Sequence, residues 1–178
     1  MALTIIGVLS VVALYFYSTP TSKDIDIAVV GIQFRINDQS EGYEEKIITL
    51  RGIHKHYLFG NKDSSFQGYF SIEGYDFTYD TEILITLSSP SWAYVSEAGS
   101  FGFIQYWDTN NYQNFNFFGA LLCTKYLDEF MICIWEPVGE NHQGWSHETG
   151  LVICAPANNQ EEAKKIMDYL YKADVLFE

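Results

Sequence analysis

The sequence predicts an α+β fold, mainly an antiparallel β meander covered by one C-terminal α-helix and preceded by an N-terminal transmembrane helix. Three observations predict it. Met1 to Tyr17 form an apolar run without a charged side chain. Most of the remaining chain alternates apolar and polar residues in short stretches separated by Gly, Asn, Asp and Pro, as strands and tight turns do. One stretch, opening at Asn158 and Asn159, spaces its apolar residues helically. Beyond the apolar run roughly 150 residues remain, the size of one domain and enough for a core. Aromatic residues make up 17% of the chain and Pro is scarce, a composition that packs instead of staying disordered.

In the N-terminal run, Leu3, Ile5, Ile6, Val8, Leu9, Val11, Val12, Leu14 and Phe16 leave no polar face. Apolarity on all sides suits lipid. A helix of this length rises about 25 Å against a hydrocarbon core of about 30 Å, with Tyr15 and Tyr17 at the interfacial aromatic belt. Residues 1–18 are therefore expected to be a membrane anchor or signal segment, contacting the membrane through residues 3–17. Without a basic flank, and with Ser18, Thr19 and Pro20 making a poor cleavage site, the uncleaved anchor is the preferred reading. The expected location is single-pass at the membrane with the C-terminal domain extracytoplasmic, an orientation resting only on the α-amino group and Lys23. The polar residues 19–24 read as a linker.

Residues 25–178 read as one β-rich domain. Ile25 to Ile36 alternates over a long first strand, bulged at Gly31. Further strands are expected at 46–50, 54–59, 66–73, 82–87, 92–96, 101–107, 115–123, 129–136 and 151–155. Their connections are too short for parallel crossovers, hence the meander. The C-terminal helix, 159–172, opens on Asn158 or Asn159 with Glu161 or Glu162 three residues on, a capping-box arrangement. Ala163, Ile166, Met167 and Leu170 share one face, which predicts that the helix lies on the sheet.

A formal charge of −13 repels phosphate backbones, so nucleic acid is not an expected partner. Cys123, Cys133 and Cys154 sit inside apolar runs at spacings unlike a zinc site or a redox pair, and read as buried core thiols. No nucleophile elbow, zincin, P-loop or dinucleotide motif occurs, so no catalytic residue and no cofactor is assigned and a noncatalytic domain is preferred to an enzyme.

The ending Trp145-Ser146-His147-Glu148-Thr149-Gly150-Leu151-Val152-Ile153-Cys154-Ala155-Pro156-Ala157-Asn158-Asn159-Gln160-Glu161-Glu162-Ala163 resembles the C-terminal signature of an uncharacterised family of small exported or membrane-anchored proteins of Gram-positive bacteria. There a Trp-containing loop runs into an apolar strand, an Ala-Pro-Ala-like turn and a capped helix. Phe66 to Gly74, Phe101 to Tyr106 and Phe117 to Gly119 look like the same family's meander. The resemblance implies a fold and no activity.

Four groups of residues are candidates for function. His54 and His56, two apart in a strand, project from one face at a spacing metal sites use, but Lys55 and Arg51 favour a solvated strand face and no third ligand is identifiable. Ser146-His147-Glu148 juxtaposes triad chemistry, yet adjacent side chains diverge, and with His142 it reads as a turn. Asp76 and Asp80 could flank a glycosidic bond only if space brought them together, which leaves a hydrolase as the third reading. The strongest binding candidate is Tyr106, Trp107, Asn110, Asn111 and Tyr112, where aromatics interleave with short polar groups at a hairpin tip. That surface suits a protein or glycan partner. The expected function is an interaction or envelope-accessory module, with a glycan-binding module as the alternative.

Overall fold

A computed structural model describes residues 2–37, 42–57, 64–78, 82–87, 99–107, 115–138 and 142–171. The expected strand 92–96 lies outside them.

The N-terminal run is helical, as α1 (Ala2–Ser18), and Val8, Val11, Leu14, Tyr15, Phe16 and Tyr17 are exposed on it. Its 17 residues rise about 25 Å, and no helix among the described residues is long and apolar enough to cross a membrane. The transmembrane assignment therefore does not hold. The linker is also shorter than 19–24, because β1 (Thr21–Arg35) pairs with β2 (Glu44–His56) from Thr21 onward.

β3 (Ser64–Ile72), β4 (Glu82–Leu87), β5 (Gly99–Trp107), β6 (Phe115–Thr124), β7 (Phe130–Ile134) and β10 (Leu151–Ala155) complete an eight-stranded antiparallel sheet in the order β4-β3-β2-β1-β10-β7-β6-β5. The short strands β8 (Glu136–Pro137) and β9 (Gln143–Gly144) pair separately. A simple meander is thereby corrected. Two local meanders, β1 to β4 and β5 to β7, are joined by the last strand, which inserts between β1 and β7. The two edges then lie against each other: a Cβ on Gly102 of β5 would fall 2.5 Å from Ile85 Cγ2 and 2.6 Å from the Thr86 carbonyl oxygen of β4. The sheet is a nearly closed barrel whose two edge strands, β4 and β5, are brought side by side without ladder pairing among the described residues.

Strand alternation sorts the apolar residues into two layers. Leu50, Phe66, Phe70, Ile85, Leu121, Phe130, Ile132 and Ile153 fill the interior. Ile32, Phe34, Leu122, Met131, Cys133, Val152 and Cys154 form an outer layer beneath Ala163, Ile166 and Leu170 of α2 (Gln160–Leu170). β7 is buried at every position because it is covered on both faces, which is why it reads as a continuous apolar run. All three cysteines are free and buried, and burial pushes their thiols well above the ordinary range.

Asn159 caps α2, its side chain accepting from the Glu162 N–H at 2.9 Å, while the Glu162 carboxylate accepts from the Asn158 N–H at 2.8 Å. The expected 159–172 helix therefore ends two residues early, at Leu170. Asn159→Ala should destabilise the domain by about 1 kcal/mol in urea unfolding. An unchanged midpoint would show that the cap is dispensable.

Candidate functional site

Even-numbered residues of β2 face the barrel interior: Lys46, Ile48, Leu50, His54 and His56 are all buried, with Gly52 between them, while Ile47, Arg51, Ile53 and Lys55 are exposed. This places polar side chains at both ends of an otherwise apolar interior.

At one end Lys46 is 8% exposed and its Nζ lies 2.6 Å from Glu44 Oε1 and 5.9 Å from the Tyr75 ring centroid. The Tyr75 hydroxyl donates to Gln33 Oε1 at 2.8 Å. Burial, with Glu44 and Glu136 nearby, pushes Tyr75 up to about 12. Beside it the Arg35 guanidinium donates to both Glu136 oxygens, at 2.6 and 2.8 Å, and holds that carboxyl below its usual range. These groups satisfy one another, as a structural network does.

The opposite end is different. His54 and His56 are 0% and 6% exposed, and their rings lie 5.3 Å apart at 20°. His54 is in register with Lys23 and Phe66, and His56 with Thr21. Among the described residues, neither ring nitrogen of His54 has a hydrogen-bond partner, nor does Nδ1 of His56. Burial, then His56 and Lys23, lowers His54 to about 4; burial, then Lys125 and Lys23, lowers His56. Both rings are thus neutral at pH 7, each with an N–H donor and an open lone pair. Leaving such a group unpaired in the interior costs about 1–3 kcal/mol. Tyr126 stands edge-on to His56 at 5.4 Å and is itself half-exposed. It is carried with Lys125 by the β6–β7 turn, which Thr124 closes by bonding Asp128 and accepting from the Glu129 N–H. The expected solvated strand face is therefore wrong. Lys55 and Arg51 point outward, and the histidines share the parity of Ile48 and Leu50, a signal present in the sequence. Among the described residues no group of three or more His, Cys, Asp or Glu side chains could hold a metal ion.

The other candidates are described only in part. Tyr106 and Trp107 end β5 in register with Asn116 and Phe115, while Asn110, Asn111 and Tyr112 lie outside the described residues. Asp80 does too, leaving Asp76 in a single 3-10 turn, Asp76–Thr78. The Ser146 hydroxyl oxygen accepts from the Glu148 and Thr149 N–H groups, and His147 lies 3.8 Å from Glu148. That is a hydroxyl-stabilised turn, with the Trp145 indole donating to the Leu151 carbonyl behind it.

A further group of side chains has no counterpart in the sequence pattern. On the outer face of β5 to β7, Phe103 meets Phe101 edge-on at 4.9 Å, Phe117 at 6.0 Å and Trp135 at 5.9 Å, and Phe117 stacks on Trp135 at 5.3 Å. Phe103 is 37% exposed and the other three are half-buried. The rings meet because the register shifts between Ile104 and Gln105, so that Gln105 is opposite Phe117 and Phe118 turns inward.

Comparison with protein-family models, curated proteins and solved structures finds no match to this chain.

Proposed function

We propose that this domain is a noncatalytic interaction module whose docking face is the aromatic cluster of Phe101, Phe103, Phe117 and Trp135, and that its partner is a protein. The carrying observation is that four contacting rings lie on the outside of a barrel whose interior holds a separate apolar core. Contiguous exposed aromatics of this kind are enriched at protein interfaces, where a few such residues dominate affinity.

The ring geometry favours protein over sugar. Phe103 stands at 85° to Phe117 and 78° to Trp135, and the latter two are stacked on each other. The cluster is a knob that fits an apolar recess, not a flat platform for a pyranose ring, and its three Phe rings offer no polar handle for hydroxyls.

The experiment is affinity capture by the full chain from extracts of its own cells, run in parallel with Phe103→Ser and Tyr69→Ser. Tyr69 is exposed on β3, away from the cluster. One protein species should be retained by the parent and by Tyr69→Ser and lost with Phe103→Ser, a defect of about 2 kcal/mol or roughly 30-fold in affinity. Equal recovery by all three chains, or recovery of nothing specific, sinks the proposal.

The same reading sets the domain beside a membrane. The exposed side chains of Val8, Val11, Leu14, Tyr15, Phe16 and Tyr17 on α1 need cover, and contact with a lipid surface supplies that. The full chain should float with phosphatidylcholine vesicles; a chain left in the bottom fractions contradicts this part.

A further inference from the structure

We propose that His54 and His56 bind a first-row divalent transition ion, of which Zn2+ is the probe, at the end of the barrel where Tyr126 lies, with water completing the coordination. This site is separate from the aromatic face and does not depend on it.

Three observations converge. The His-x-His spacing on β2 turns both imidazoles to the interior. Three of their four ring nitrogens are buried without a hydrogen-bond partner among the described residues. The ring centroids lie 5.3 Å apart. A tetrahedral ion held about 2.0–2.1 Å from one nitrogen of each ring sets the two centroids about 5 Å apart. The rings are nearly parallel at 20°, so convergence on one ion needs rotation about χ2, a broad torsion, with the strand unmoved.

The chemistry selects the ion. Imidazole nitrogens without carboxylate oxygens suit Zn, Cu or Ni over Mg or Ca. Both rings are almost wholly buried, so the occupant is of atomic size, and a multi-atom ligand would have to displace the core around Phe66. The half-exposed Tyr126 stands edge-on to His56. The charges of Lys23 and Lys125 reach the rings from exposed positions and oppose a cation, which makes the site weaker than a four-ligand structural one and gives it a diagnostic sign.

The test is calorimetric titration of the full chain, stripped of metal by chelation, with Zn2+. One equivalent should bind, the affinity should fall at least tenfold or so in His54→Leu and in His56→Leu, and a His142→Ala/His147→Ala chain should bind as the parent does. Lys125→Glu should tighten binding several-fold. No binding by the parent, binding that survives loss of His54 and His56, or weaker binding in Lys125→Glu overturns the proposal. Where His54→Leu fails to fold, the ring 15N resonances of the parent decide: zinc-induced shifts at His54 and His56 support the site and unshifted resonances overturn it.

Discussion

Gly102→Val is expected to lower the stability of the domain by about 3 kcal/mol, the upper end of what overpacking usually costs. Gly102 sits on β5 opposite Leu121, and its missing side chain is what lets β4 close against β5. A Cβ there would meet the Thr86 carbonyl oxygen at 2.6 Å, and that atom belongs to the backbone and cannot swing aside. The Ile85 and Leu87 side chains, at 2.5 and 3.1 Å, would have to move as well. The seam should open, exposing Ile85, Leu87 and Ile104, all buried in the parent. Urea unfolding should report the loss and a hydrophobic dye should bind the opened edge. Gly144→Ala is the control, because among the described residues its Cβ would meet only Val138 Cγ2 at 3.5 Å, and it should stay within about 0.5 kcal/mol of the parent. Equal stability of the two variants would mean that the barrel does not close through this contact.

The second large effect is acid destabilisation through the buried histidines. His54 titrates at about 4 when folded against an ordinary imidazole value of 6.5, and burial is the main cause. Between those values the unfolded chain holds the proton and the folded chain does not, so stability rises with pH across the window. The contribution is complete above 6.5 and is lost as pH falls toward 4, by at most about 3 kcal/mol. His56 has the same sign. Glu136, held below its usual range by Arg35, loses its contribution only below the ordinary carboxyl value of 4.5, so the interval from 6.5 to 4.5 isolates the histidines from this carboxylate. Urea midpoints should drop between about pH 7 and pH 5 in the parent, and drop less in His54→Leu. Equal drops would assign the acid sensitivity elsewhere.

The legible parts of the fold are those set by neighbouring residues. Alternation placed most strands, and Asn159 with Glu162 marked the start of α2. The break expected within residues 50–54 is absent because Gly52 is a crossing point inside β2: its Cβ would fall 2.2 Å from the Gln67 carbonyl oxygen, opposite Gly68. Glycine marks close backbone approach here, and in sequence the two uses look alike. Pairing of β1 with β10 was not legible, since it joins strands more than a hundred residues apart and their apolar residues state only that both faces are covered. The expected transmembrane helix has no counterpart, since no helix among the described residues is long and apolar enough to cross a membrane.

The sites divide the same way. His54 and His56 face inward by the parity that Ile48 and Leu50 establish, but Lys55 and Arg51 drew the reading toward solvent. The aromatic cluster required the register shift at Ile104 and Gln105, which puts Phe117 and Phe118 on opposite faces, together with Trp135 just beyond β7. No local pattern announces a bulge of that kind, so Phe101 and Phe103 were visible only as one strand's alternation.

The docking face is tested most directly by photo-cross-linking in intact cells, with a benzophenone side chain in place of Phe103 in one full-length chain and of Tyr69 in another. The predicted result is a discrete protein adduct from position 103 and none of the same mass from position 69. The same adduct from both positions, or none from position 103, would contradict an interaction module that docks through this aromatic face.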